Sequence, residues 1–480
     1  MLKTDKSAKR EKTLINISKK TFFQVTALLA ALLVISIVLT YLIPGSEFGT
    51  LEDGSPNYLE VIPRPDIKGV PILKGVLAPI LVFASGDGLT LIMLSLFLFV
   101  ISAAFQVMND AGGIRALVGE VSRRYRNRRR LLLVIVSFLF YCFGAFLGLF
   151  EEMLTMMPIV AALCVMLGYD SFTGFLCSIL SCGFGFAGAI TNPFTVLLAS
   201  EIVGVNPMVN IWYRVFIFAV MFGLLQAFLF VYVRRLEQTP SSSCTLRHDE
   251  ALRDVSTGEE APDEGQERRL RWIYAVFLLA ALSLIVVSSL LSALRSYTVV
   301  ILIVYFLFGG LLAGSLACGS FKTAGKSFLR GLLGALPTIV FIAFAASAKF
   351  VFEEGGILPT IVNQLNLLIE GHSPVLVALV IYLIVLVLEF FISSSTAKAI
   401  LVMGLLAVVN TGLTKEMLVL LFTFGDGYTN VLFPTSPVLL IGLSMIEMDY
   451  FRWLKKSWAL FLVNFLMVLG FIVLGVVIGY

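Results

Sequence analysis

Gly183-Phe184-Gly185-Phe186-Ala187-Gly188-Ala189-Ile190-Thr191-Asn192-Pro193-Phe194-Thr195 and, further on, Phe424-Gly425-Asp426-Gly427-Tyr428-Thr429-Asn430-Val431-Leu432-Phe433-Pro434-Thr435-Ser436 decide how this chain folds. Each stretch lies between long apolar segments, yet mixes Gly, Pro, Thr, Ser and Asn where a membrane-spanning helix would carry Leu and Val. Gly weakens a helix interior and Pro removes a backbone donor. In lipid an unsatisfied backbone group costs several kcal/mol, so such breaks persist only where protein or a wet cavity surrounds them. Two broken, polar segments at matching positions of two halves point to the binding site of a secondary transporter.

Composition supports a membrane reading. A chain of 480 residues could form two soluble domains, but this one is 59% hydrophobic, has 40 Phe, is 14% charged and has a mean hydropathy of +0.96. Soluble globular chains are about 45–50% apolar and about 25% charged. The apolar residues also come in runs that reach the roughly 20 residues needed to cross a bilayer. The expected fold is an all-α polytopic membrane protein with eleven to thirteen membrane segments. The net charge of +4 is clustered, and the clusters report topology rather than nucleic-acid binding. Cys142, Cys164, Cys177, Cys182 and Cys318 lie in or beside apolar segments, and Cys244 lies in a polar linker. None has zinc-ligand spacing, and they read as small apolar residues.

The expected organisation follows from charge and hydropathy. Residues 1–21 form a basic cytoplasmic N-terminus, 22–44 a first transmembrane helix and 45–85 an external polar loop. Residues 86–234 form a first repeat and 235–271 a flexible cytoplasmic linker. Residues 272–330 hold connecting helices, and 331–480 a second repeat. Arg123 to Arg130, Lys322 to Arg330, and Arg452 with Lys455 and Lys456 mark the cytoplasmic side. The pieces from Glu151 to Gly168 are short for spans and predict a re-entrant hairpin or a broken helix. The linker carries an acidic run and the lone His248, with no chemistry assigned to either.

Landmarks recur in order. Gly112-Gly113-Ile114 matches Gly355-Gly356-Ile357 at a separation of 243, and Phe184-Gly185 matches Phe424-Gly425 at 240. The basic clusters place the first landmark on a segment running inward and the second on one running outward. The repeats are therefore expected to be inverted, with broken helices and re-entrant hairpins framing a site near the midplane.

Charges within the apolar segments are the candidate ligands, since each is costly in lipid. Glu389 precedes Ser393, Ser394, Ser395 and Thr396, and Lys398 follows them, so Glu389 and Lys398 could pair across a break at the serines. The alternative is a purely structural ion pair. Glu151 and Glu152 either end a helix at the surface or bind a cation or a cationic substrate group. Asp426 between two glycines suits cation coordination, or simply forms a turn. Thr191, Asn192, Thr195, Thr429, Asn430, Thr435 and Ser436 are neutral ligands suited to a carboxylate at helix N-termini or to sodium. No nucleophile–base pair, Walker loop or metal cluster is visible, so an enzyme or ATP-driven pump lacks support.

The quoted residues resemble the YfcC-like family of amino-acid and carboxylate transporters. Its relatives are the anaerobic dicarboxylate carriers and p-aminobenzoyl-glutamate transporters of the ion-transporter superfamily. The matching stretches are Leu39-Thr40-Tyr41 with Ile43-Pro44 and Phe48; Gly148 with Phe150-Glu151-Glu152 and Pro158; Gly168-Tyr169-Asp170; Phe184 to Thr195; Gly355-Gly356-Ile357 with Thr360-Ile361; and Phe424 to Ser436. The resemblance implies an inverted-repeat fold with two helical hairpins and ion-coupled transport or exchange of small carboxylates or amino acids. The chain departs from the family pattern at Glu389, where Asn is more usual, and at its three serines, where a Pro-Ser-Gly run is more usual. The expectation is a secondary active transporter of the inner membrane for a carboxylate-bearing solute, with an amino acid favoured and a basic one suited to the acidic residues. A dicarboxylate carrier of the same fold is the alternative, and a passive channel the rival class. No cofactor is expected beyond a sodium ion or proton as coupling ion. The expected partners are the small-molecule substrate and the bilayer, with a homodimer as an open assembly and no nucleic acid.

Overall fold

The computed structural model describes residues 19–50, 56–66, 68–246, 249, 264–295, 297–361, 371–392 and 394–480. The chain is a helical membrane protein. Among the described residues, nine helices are long and apolar enough to cross a membrane. Four shorter apolar helices, Met153–Met166, Ser171–Ala187, Pro193–Val203 and Ser395–Leu406, lie at the interrupted places the sequence marks. Large apolar side chains such as Leu42, Phe308, Leu312, Trp458 and Leu466 face outward, as lipid-facing surfaces require.

The first helix, α1 (Lys19–Leu42), stops before Pro44-Gly45. The loop beyond it is not uniformly irregular. Strands β1 (Ser46–Thr50) and β2 (Pro56–Pro63) pair antiparallel, with Ser46 opposite Pro63 and a register shift between Phe48 and Gly49. Next come α2 (Gly88–Asp110) and the amphipathic α3 (Gly113–Tyr125). The first half continues through α4 (Arg129–Cys142), α5 (Met153–Met166), α6 (Ser171–Ala187), α7 (Pro193–Val203) and α8 (Ile211–Gln238). Connecting helices α9 (Glu264–Leu290) and α10 (Thr298–Cys318) follow. Lys322 to Arg330 is not a loop: it lies on α11 (Phe321–Gly334), an amphipathic helix packed on α2. The second half contains α12 (Leu336–Glu354), α13 (Pro374–Phe391), α14 (Ser395–Leu406), α15 (Lys415–Asp426), α16 (Pro437–Met445) and α17 (Tyr450–Ile478).

Both halves pass through the same series. A long helix breaks, a short helix follows, a capped turn leads to a second short helix, and the broken motif leads to a third and then a long closing helix. The backbone fixes the register at 244. Gly112 and Gly356 both take positive φ, +77° and +61°, just beyond α2 and α12. Asp170 and Thr414 each cap a short helix by accepting the backbone N–H three residues on, at 2.8 and 3.2 Å. Asn192 and Ser436 cap helices whose first residues are Pro193 and Pro437. These three pairs correct the separations of 243 and 240 read from matching letters. In glycine-rich stretches identical letters can slide past one another, whereas a cap has one place.

Where described, the linker is not free. Cys244, Thr245 and Asp249 are buried. Asp249 accepts the Ser171 N–H at 3.1 Å and the Thr245 hydroxyl at 2.7 Å, while Ser243 donates to Asp170 at 2.9 Å. Arg452 closes the dock by donating to the Cys244 carbonyl at 3.1 Å. His248 and the acidic run up to Asp263 lie outside the described residues, and Glu264 begins α9.

Candidate functional site

Three charged side chains meet inside the second half. Glu389 stands near the end of α13, where Ile392 leaves helical geometry. Beyond that break Ser394 caps α14, accepting from the Ala397 N–H at 3.4 Å, and Lys398 follows one turn in. Asp426 is the last residue of α15. Lys398 Nζ lies 2.8 Å from Asp426 Oδ1 and pairs on its other side with Glu389. It also donates to the Ile392 carbonyl at 3.3 Å, and Ser395 Oγ donates to Asp426 Oδ2 at 2.9 Å. Lys398 and Asp426 are 0% exposed and Glu389 2%. Two carboxylates against one ammonium leave a surplus negative charge in the core when all three are ionised. Buried charge of this kind is costly to keep, and removing one partner of it costs several kcal/mol.

The backbone around Asp426 is stapled by the motif's polar residues. Thr429 Oγ1 donates to the Gly425 and Asp426 carbonyls at 2.9 and 3.1 Å, and Asn430 Nδ2 to those of Asp426 and Gly427 at 2.6 and 3.3 Å. Asn192 does the same work in the first half. Its Oδ1 accepts from the Phe194 and Thr195 N–H groups at 2.9 and 3.3 Å, and its Nδ2 donates to the Gly144 carbonyl at 3.0 Å. Both asparagines therefore hold broken backbone together in this conformation.

The two motifs touch one another reciprocally. A Cβ on Gly427 would stand 2.3 Å from Ala187 Cα, and a Cβ on Gly183 would stand 2.5 Å from Val431 Cγ1. In the register of 244, residue 183 corresponds to 427 and 187 to 431, so each half makes on the other the contact it receives. Beside this crossing α7 packs on α14 and α15, and α16 packs on α5. The charged cluster thus sits on helices that the opposite half touches directly.

The structure brings Glu389, Ser395, Lys398, Asp426, Thr429 and Asn430 together. Ser394 and Thr396 are exposed at the start of α14, and Thr435 and Ser436 are buried at the start of α16. Glu151 is exposed and Glu152 buried at the first-half break, and neither pairs with Lys398 among the described residues. Thr191 donates to the Phe146 carbonyl at 3.2 Å, and Thr195 is 0% exposed with no partner for its hydroxyl among the described residues. Lys349 pairs with Asp87 and Glu353. Among the described residues no group of His, Cys, Asp or Glu is arranged to hold a metal ion.

Sequence reasoning missed several polar groups. Thr155 and Ser200 are buried hydroxyls without partners among the described residues, and the Tyr382 and Tyr428 hydroxyls meet at 2.9 Å. Single hydroxyls in apolar helices carry little signal. The i, i+3 relation of Glu152 to Thr155 was the available one.

A family model described as "C4-dicarboxylate anaerobic carrier" matches residues 22–477. A relative from Escherichia coli (strain K12), "Putative basic amino acid antiporter YfcC", is 27% identical over 407 residues, covering 82% of this chain and 79% of the relative. An uncharacterized protein of Haemophilus influenzae is 23% identical over 367 residues, covering 75% of this chain and 70% of the other. The solved structure of Neisseria gonorrhoeae MtrF, titled as illuminating a class of antimetabolite efflux pumps, is similar at 16% identity and a TM-score of 0.43, over 93% of this chain and 94% of that one. The chain is a membrane transporter, and its family matches are carriers, not enzymes.

Proposed function

The chain belongs to the C4-dicarboxylate anaerobic carrier family, and from that premise we propose that it is a secondary active antiporter of a small carboxylate-bearing solute, a basic amino acid. The observation that carries the reading is the buried Glu389–Lys398–Asp426 cluster with its surplus carboxylate. One ammonium or guanidinium group brings that cluster to neutrality. The positive dipole ends of the helices that follow Asn192 and Ser436 then favour the substrate carboxylate. The relative named as a basic amino acid antiporter supports the same class. The reciprocal contacts of Gly183 and Gly427 fit two halves related by an approximate two-fold axis. With the basic clusters on opposite flanks, that axis lies in the membrane plane, as alternating access between inverted repeats requires. The N-terminus and the linker then face the cytoplasm of an inner-membrane protein.

The test is uptake of labelled arginine into proteoliposomes preloaded with unlabelled ornithine. Saturable uptake that depends on internal ornithine is the expected result. A second reading, transport of a C4-dicarboxylate, draws on the family's description and on Lys398, which would serve as the cation for an anionic substrate. Labelled succinate accumulating while arginine does not would establish it and overturn the first.

A further inference from the structure

We propose that Glu152 is the proton site of the transport cycle, distinct from the Glu389–Lys398–Asp426 seat. The inference rests on the antiporter reading and adds its coupling ion. Glu152 stands at the N-cap of α5, yet its side chain caps nothing. It is 7% exposed, its Oε2 finds no hydrogen-bond partner among the described residues, and no cation pairs with it there. Thr155 lies three residues on, along the same face of the helix. It is 0% exposed, and its hydroxyl is also without a partner. Two unspent oxygens thus share one buried face at the first-half break.

The neighbouring carbonyls argue for a proton over a metal ion. Those of Gly144, Ala145, Phe146, Leu149 and Phe150 already accept from Asn192, Ile190, Thr191, Cys182 and Met153. A hard cation such as calcium or magnesium collects about six oxygen ligands, carboxylates among them, and among the described residues no group of acidic side chains is arranged to hold one here. A proton needs one. An ionised carboxylate held in this place without a partner carries a desolvation cost of several kcal/mol, and adding a proton removes the charge. Binding forms one O–H bond on Glu152, and release returns that proton to the opposite side.

The titratable groups around Glu152 are few. Glu151 precedes it, and Cys182 of α6 is tied to the same break by its thiol, which donates to the Leu149 carbonyl. Cys177 of α6 meets Cys164 farther along α5. The α3 helix, with Arg115, Glu120, Arg123, Arg124 and Tyr125, meets the opposite end of α5, where Ser122 donates to the Met166 carbonyl at 3.2 Å. The packed helix α16 carries no titratable residue. Among the described residues no basic side chain at that end of α5 therefore competes with a proton on Glu152.

The experiment measures protons moved per arginine in proteoliposomes holding a trapped pH-sensitive dye. Wild type is expected to move protons opposite to arginine and to take up arginine at least tenfold faster when a pH gradient is imposed. Glu152→Gln, which fixes the side chain in a neutral form, is expected to reduce the proton-to-arginine ratio to background. Glu152→Asp is expected to restore a measurable ratio. The ratio is read per arginine, so a slower variant still reports it, and a single symmetric elution peak checks its fold. An unchanged ratio in Glu152→Gln, or acceleration of wild type by a sodium gradient and not by a pH gradient, overturns the proposal. If wild type exchanges no arginine, the antiporter reading fails by itself. The same dye measurement with succinate then still decides whether Glu152 carries the proton.

Discussion

Replacing Lys398 by Met leaves Glu389 and Asp426 in the core with no cation between them. Both carboxylates stay out of water, at 2% and 0% exposure. Breaking a buried ion pair by removing one partner costs about 3–5 kcal/mol, because the remaining charge is uncompensated. Glu389→Gln in the same chain removes one of the two stranded charges, so the double variant should be less damaged than the single variants predict. Residues in one buried network couple by about 0.5–3 kcal/mol, and the contacts to both carboxylates place this pair toward the upper end. The assay is reversible unfolding in mixed micelles for wild type, Lys398→Met, Glu389→Gln and the double variant. Strict additivity, with a coupling below about 0.5 kcal/mol, would refute the ion-pair geometry. A stable double variant that still fails to exchange arginine would assign the charges to transport as well as to stability.

Other predictions concern the breaks and the linker. Gly427→Ala should cost about 1–3 kcal/mol as overpacking, because the new Cβ meets backbone atoms of Ala187 at 2.3 and 2.4 Å. Gly183→Ala meets the movable Val431 side chain, so it should cost less and recover with Val431→Ala; equal damage in both would refute the asymmetry. Asn192→Ala and Asn430→Ala should abolish uptake while leaving the protein in the membrane, with the lost cap at Asn192 alone costing about 0.5–2 kcal/mol. Normal uptake by both would remove the breaks from the transport path. Burial pushes the Asp249 carboxyl up from 3.8 to about 6. An acid raised on folding favours its protonated form, so its contribution to docking is present below about 3.8 and is lost as pH rises through about 6. Proteolysis within 250–263 should be slower at about pH 5 than at about pH 7.5, and equal rates would count against this contribution of Asp249.

Much of the architecture was legible because lipid leaves few options: runs of about 20 apolar residues have one regular solution. The breaks were legible because Gly, Pro, Asn and hydroxyl residues cluster there together, which a continuous apolar helix does not need. The register of the repeat was not, because hydropathy does not fix position to one residue. The Asn192-Pro193 and Ser436-Pro437 dipeptides carried the true correspondence, but as different letters with one geometric role. Adjacency of Glu389 and Lys398 could be read from nine residues of sequence. That Asp426 joins them could not, because α14 and the turn to α15 must fold back first. The strand pair at 46–63 was hidden by its Pro and charged residues, which match an ordinary polar loop.

The mutual contact of the two broken motifs also bears on how the sequence can drift. A side chain gained at 183 can be answered by a smaller one at 431, whereas one gained at 427 meets backbone of residue 187 that no substitution there removes. Across diverged members of the family positions 183 and 431 should therefore change together, and 427 should stay glycine. The charged cluster has no such twin: in the same register Glu389, Lys398 and Asp426 correspond to Ala145, Leu154 and Cys182. The two halves thus share the shape of their breaks, whereas among the described residues the Glu389–Lys398–Asp426 cluster has no counterpart in the first half.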